Sequence, residues 1–258
     1  VDGLPISQSS LYEGDDNLVE IVKNRDPRLA QSMWIPGDAI NIMGDGDTTK
    51  FERADIHQTG SYLNTTGFQL KKHSNAWGEN LRQNYYQSQI GSIIFRYAEA
   101  LLNYAEARAE LGEITQSDLD LTINALRDRV GVAHLQLGSV PVDPNSAYPA
   151  LSPLINEVRR ERRVELAFEG LRLHDFLRWR SHDLIVGKRP LGAKFVQADY
   201  PDMQVGTHVY VDANGYIDIY QKSLPNGFQF NPDRDYLNAI PILELTLNEK
   251  NQQNPGWQ

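Results

Sequence analysis

Phe95-Arg96-Tyr97-Ala98-Glu99-Ala100-Leu101-Leu102-Asn103-Tyr104-Ala105-Glu106-Ala107 carries two interleaved stripes at helical spacing. Ile94, Ala98, Leu101, Leu102 and Ala105 form the apolar one, and Arg96, Glu99, Asn103, Glu106 and Glu110 recur every three or four residues on another face. Ala98, Ala100, Ala105, Ala107 and Ala109 keep the helix slim, so a partner helix can approach closely. The pattern predicts a helix over 94–111, stopped by Gly112.

A partner follows directly. Ser117, with Asp120 three residues on, reads as a capping box opening a helix that passes through Leu121, Ala125 and Leu126 and stops at Gly131. Ser152 as cap with Pro153 at the first helical position opens a third helix. It runs through Ile155, Val158, Val164 and Phe168 to Gly170, and a short amphipathic continuation covers Leu171 to Trp179.

On either side the periodicity fades. Residues 1–91 are rich in Asp, Gly, Asn, Thr and Ser, with one short helix at Leu18–Lys23 ended by Asn24-Arg25-Asp26-Pro27. Residues 181–258 are again loop-rich. His208–Val211 and Tyr216–Ile219 flank Asn214-Gly215, a hairpin signature in which both turn residues take positive φ. The expected division is thus a loop-rich ligand side (1–91), a helical core (92–180) and a loop-rich tail with a hairpin (181–258).

Composition removes several function classes. The 258 residues suffice for a buried core. A net charge of -9 opposes nucleic acid and anionic lipid surfaces. With no cysteine there is no disulfide, thiolate metal site or cysteine nucleophile. No stretch approaches the roughly 20 apolar residues that cross a bilayer. Val1 to Ser10 lack the order of a secretion signal and read as a mature loop midway through a longer chain.

The densest charge cluster is Arg159-Arg160-Glu161-Arg162-Arg163 followed by Glu165, Glu169, Arg172, Asp175 and Arg178. Glu161, Glu165 and Glu169 sit four apart on one helical face. A pair of them could serve as the acid and base of a glycoside hydrolase. The alternative is a salt-bridge network in which Glu161, Arg162, Glu165 and Glu169 tie this helix to Arg96, Glu99, Glu106 and Arg127. Interleaved arginines keep carboxylates ionised, which ill suits a general acid, so the structural reading is preferred.

Metal and nucleophile motifs are lacking. His57, His73, His134, His174, His182 and His208 make no HExxH or close ligand pair. Asp45-Gly46-Asp47 hints at calcium, but Lys50 stands where the loop needs glycine. No GxSxG, Walker A or GxGxxG occurs, and no cofactor is expected. What is left is aromatic residues in polar loops: Tyr12, Trp34, Tyr62, Trp77, Tyr85 and Tyr86. Sugar rings lie with their C–H faces on aromatic rings, and amides and arginines take the hydroxyls. Trp34, Trp77, Asn75, Arg82, Tyr85 and Tyr86 are therefore the candidate ligand contacts, against the alternative that such rings anchor loops to the core.

The 95–107 stretch resembles a signature helix of the SusD/RagB family. Asn124 to Gly131, Ile155 to Trp179 with Arg160-Glu161-Arg162-Arg163-Val164-Glu165-Leu166-Ala167-Phe168-Glu169-Gly170, and Tyr236 to Pro241 with Asn254-Pro255-Gly256-Trp257 are similar to further family segments in the same order. Asp26-Pro27-Arg28-Leu29 also fits. The resemblance implies a mainly α fold: a tetratricopeptide-like helical core with long loops and a small β-hairpin, here the carboxy-terminal portion. It implies an outer-membrane lipoprotein on the extracellular face. There it would bind oligosaccharide or polysaccharide without catalysis for a SusC-like TonB-dependent transporter, as in polysaccharide utilisation. Peptide is the ligand of some relatives. The family's acylated amino terminus and most of its helical repeats have no counterpart in these 258 residues, so any membrane attachment would come through an anchor outside them.

Overall fold

The computed structural model describes residues 1–42, 48–53, 56, 64–74 and 91–257. The structure is mainly α, and its helices are concentrated in the middle of the chain. α1 (Leu18–Val22) and α2 (Arg28–Ser32) are single short turns ahead of β1 (Met33–Trp34), β2 (Ala39–Ile42), β3 (Thr48–Lys50) and β4 (Gln69–Leu70). β1 pairs antiparallel with β4, and β2 with β3.

The centre consists of α3 (Tyr97–Glu110), α4 (Gln116–Leu119), a π-helical segment (Asp120–Asn124), α5 (Ala125–Asp128), α6 (Pro153–Glu165) and α7 (Arg172–Arg178), with α8 (Ile242–Leu247) near the end. Ala98, Leu102, Ala105 and Ala109 of α3 pack against Leu119, Ile123 and Leu126 on one side and Ile155 and Val158 of α6 on the other. The slim alanine face lets both neighbours in. Burying side chains of this size contributes on the order of 1.5–3 kcal/mol each, which makes this cluster the main driver of the helical core.

Several boundaries differ from the sequence reading. α3 begins at Tyr97 rather than Ile94, because Arg96 is extended (φ -145). Ile94 and Phe95 then lie outside the helix and are 85% and 81% exposed. The second helix is capped by Thr115 with Asp118, not by Ser117 with Asp120. The same three-residue spacing two positions earlier wins because Thr115 also supplies its backbone N–H to the Asp118 carboxylate. α6 keeps the expected cap, Ser152 accepting from Ile155 N–H, but ends at Glu165. Phe168 adopts φ +65 and turns the chain before Gly170, so the expected last turn is absent.

The π-helical segment was not foreseen. Thr122 Oγ1 bonds the Asp118 carbonyl, and buried Asn124 exchanges hydrogen bonds with the Leu135 backbone. The Thr122 bond reaches back into the local ladder four residues earlier, a known cause of irregular helix turns. The hairpin does form, with a bridge between Val211 and Ile217. Its turn, however, has only Gly215 at positive φ. Asp212 O accepts from Gly215 N–H, and Asp212 N–H donates to Tyr216 O, as in a three-residue loop closed by a glycine bulge.

The loop-rich zones carry cores of their own. Trp34 and Phe51 pack with Leu18 and Ile40. Ile56 packs with Tyr200, Val209 and Ile217, so the first and last zones interlock.

Candidate functional site

Two arrangements could carry function: the charge network on α6 and a cleft where the first and last zones meet. Glu161, fully buried, accepts from Arg28 Nη1 at 2.5 Å and Arg127 Nε at 2.8 Å. One turn on, Glu165 gathers Arg96 at 2.6 Å, Arg129 at 2.7 Å and Arg28 at 2.9 Å. Glu169, past the helix end, takes Arg96 at 2.8 Å and Lys72 at 2.5 Å. On the far side Glu157 joins Arg127 to Arg160, and Arg162 reaches Asp175 at 2.9 Å and Asn103 at 2.7 Å. Glu106 on α3 holds Arg178 and the Trp179 indole N–H.

Of the residues expected in this network, Arg96, Arg127, Glu161, Glu165 and Glu169 are joined by these contacts, whereas Arg162 and Glu106 meet through Asp175 and Arg178 in a separate cluster. Glu99 is half-buried and makes no ion pair among the described residues. Arg28, Asp26, Lys72 and Arg129 belong to it and were missed. Asp26, Arg28 and Lys72 come from the first zone and Arg129 from the end of α5, so no spacing along α6 reveals them. Burial alone would push the Glu165 and Glu169 carboxyls up, but hydrogen bonds from Arg96 and its neighbours outweigh it and hold both below the usual range. Glu106 and Glu157 are lowered in the same way. Such carboxylates are neither proton donors near neutral pH nor free bases. Chemically this is scaffold.

The cleft is a cavity of about 240 Å³ lined by Asp15, Asp16, Arg53, Phe68, Lys194 and Tyr216, among others. Gly192 closes its floor: its N–H donates to Ile217 O at 2.6 Å, and Ala193 N–H donates to Thr65 O at 2.8 Å. The Tyr216 hydroxyl donates to Asp15, and Lys194 pairs with Asp16. Arg53 pairs with Asp199 at 3.0 Å and lies 4.8 Å over the Tyr200 ring, which stacks on Phe195. Aromatic faces beside paired donors and acceptors suit a neutral, hydroxyl-rich ligand. Of these residues only Tyr216 and Ile217 stood out in the sequence, as part of the expected hairpin.

Trp34 is only 7% exposed. It sits against Phe51, with the Lys71 ammonium 5.2 Å from its ring, the placement of a loop anchor. Tyr12 is half-buried beneath Arg25. Trp77, Asn75, Arg82, Tyr85, Tyr86 and Tyr62, and also Asp45-Gly46-Asp47, lie outside the described residues. Among the described residues no group of His, Asp and Glu is arranged to hold a metal. No described helix is long and apolar enough to cross a membrane.

The SusD family model matches residues 1–257. The chain belongs to the SusD family. Solved structures agree on the fold. A SusD-like protein from Bacteroides fragilis is 24% identical with a TM-score of 0.62, over 97% of this chain and 43% of its own. The protein BT4246 is 23% identical with a TM-score of 0.65, over 96% and 40%. Its selenomethionine form gives 25%, 0.64, 96% and 41%. This SusD-family chain therefore spans about two-fifths of the length of the structures it matches. Among curated proteins no relative matches it.

Proposed function

We propose that this chain is part of a non-catalytic nutrient receptor, which captures glycan at the extracellular face of the outer membrane and passes it to a SusC-like TonB-dependent transporter. The observation that carries the reading is membership of the SusD family along essentially the whole chain. The geometry supports it in two ways. Of the carboxylates that could have formed an acid–base pair, Glu165 and Glu169 are held ionised by their basic partners and Glu161 is bonded to Arg28 and Arg127, which supports a scaffold role for the densest acidic cluster. The cleft at Tyr216 and Lys194 presents rings, hydroxyls and paired charges, the groups that recognise saccharide faces and hydroxyls. We place the ligand side on the loops of 1–91, with Trp77, Asn75, Arg82, Tyr85 and Tyr86 as further contacts on the composition of their stretch.

Calorimetry against a polysaccharide panel and a peptide panel tests the reading. Saccharide binding with intact products on chromatography is the expected result. Peptide-only binding would move the ligand to the other class, and hydrolysed saccharide would end the non-catalytic reading.

A further inference from the structure

Beside the charge network lies a second, smaller cavity of about 230 Å³, lined by Arg28, Gln31, Ser32, Lys72, Ile93, Arg96, Arg129 and Glu165. Its lining has four basic side chains and one carboxylate. That carboxylate is fully buried and already shared by Arg28, Arg96 and Arg129. Lys72 and Arg96 turn to a single second acid, Glu169. Traced through all its contacts, the network holds six bases (Arg28, Lys72, Arg96, Arg127, Arg129, Arg160) against five acids (Asp26, Glu157, Glu161, Glu165, Glu169). Four of these bases line the cavity, and of the acids only Glu165 lines it with them. Arg129 is the exposed member, 51% accessible, and Glu165 is its sole ion-pair partner among the described residues. A guanidinium fork that shares a saturated carboxylate has donors left to offer, and carboxylate or sulfate oxygens match its geometry.

We infer that this cavity is an oxyanion subsite, where Arg129, Arg96 and Lys72 receive a carboxylate or sulfate ester carried on a saccharide. The inference rests on the glycan-capture reading and specifies one of its ligand classes. The chain's net charge of -9 repels a dense polyanion at long range, whereas a single charged group responds to the local field. The ligand is accordingly a sparsely charged saccharide, such as one with isolated uronate or sulfate groups.

The test uses the whole chain and isothermal titration with a galactose trisaccharide bearing one terminal galacturonate, its neutral methyl ester, a monosulfated galactose oligomer and inorganic sulfate. The uronate-bearing trisaccharide or the sulfated oligomer should bind at least ten-fold tighter than the neutral ester, and the advantage should shrink as salt rises. Arg129→Gln should abolish that advantage and leave ester affinity unchanged, and Arg129→Lys should restore part of it. When Arg129 is substituted, Glu165 keeps Arg28 and Arg96, and a thermal melt of each variant checks that the fold is retained. If Arg129→Gln binds the acidic probes as tightly as the parent, or if the ester binds equally well, the subsite is overturned. So it is if only inorganic sulfate depends on Arg129. Binding of neutral saccharide alone removes the subsite and spares glycan capture; binding of no saccharide removes both.

Discussion

Arg127 and Glu161 meet in the dry interior, with Arg127 Nε 2.8 Å from Glu161 Oε2 and the two side chains 1% and 0% exposed. The contact ties α5 to α6, and Arg28 on the other oxygen brings in the loop at 26–28. Removing one partner of a buried pair leaves the others charged and unsatisfied, at a cost of about 3–5 kcal/mol. Glu161→Ala should therefore lower the melting temperature by roughly 10 °C, at about 2–4 °C per kcal/mol for a chain this long. Glu165→Ala belongs to the same class. A circular-dichroism melt overlapping the parent's would contradict the scaffold reading.

Acid should loosen the same network. Asp26, Glu106, Glu157, Glu165 and Glu169 are all held below their ordinary values of 3.8 for Asp and 4.5 for Glu. In the unfolded chain they take up protons at those ordinary values; in the native state they resist until the pH is lower. Stability contributed by these groups is fully present above about pH 4.5 and is lost as the pH falls through the lowered native values. Denaturant midpoints should be flat from pH 6 to 5 and drop steeply between 4.5 and 3. A flat midpoint down to pH 3 would mean that the native and unfolded carboxyls titrate alike.

Thr115→Ala removes the hydroxyl that accepts from Asp118 N–H. N-cap losses of this type cost about 1 kcal/mol. Ser117→Ala, at the position the sequence favoured, should cost little. Equal urea midpoints for the two variants would show that the cap is not at Thr115.

Trp34→Ala should act on stability. The ring is buried against Phe51, and truncating a core aromatic to alanine costs about 3–5 kcal/mol. Saccharide affinity per folded molecule should stay at the parental value. A variant with a parental melt and weakened saccharide binding would return Trp34 to the ligand contacts.

What was legible in the sequence follows from the range of the forces involved. The 95–107 stripes and the Ser152-Pro153 start are local signals, and they locate α3 and α6 to within a few residues. The carboxylates at 161, 165 and 169 also announced themselves, being one helical turn apart. Three of their five basic partners did not. Arg28 lies more than a hundred residues from Glu161 in sequence, and no periodicity links an arginine at the start of a short helix to another helix so far away. The cleft was illegible for the same reason: Asp15 meets Tyr216 across the whole chain, and Gly192 reads as an ordinary loop glycine until Thr65 is seen against it. The start of α3 was misplaced because Arg96 is extended, and the π-helical segment was missed because Thr122 bonds back to the Asp118 carbonyl.

That glycine offers the sharpest test of how the cleft is held. A Cβ at Gly192 would lie 2.2 Å from Thr65 O and 2.9 Å from Ile217 Cβ. Ile217 lines the cavity and Thr65 directly precedes the lining residues Thr66 to Phe68, and the nearer obstacle is backbone, which cannot swing aside. Gly192→Ala must push the 64–68 loop away from the Ile217 bridge, breaking the Ala193–Thr65 hydrogen bond as it does so. Overpacking of this kind costs about 1–3 kcal/mol. Gly138→Ala is the control, since a Cβ there meets nothing within 4 Å. The Gly192 variant should melt several degrees below the Gly138 variant and lose neutral-saccharide affinity at a temperature where both are folded, because the walls bearing Phe68 and Tyr216 move apart. Parental affinity in a destabilised Gly192→Ala protein would place the saccharide elsewhere, and a melt equal to the control's would deny the close approach itself.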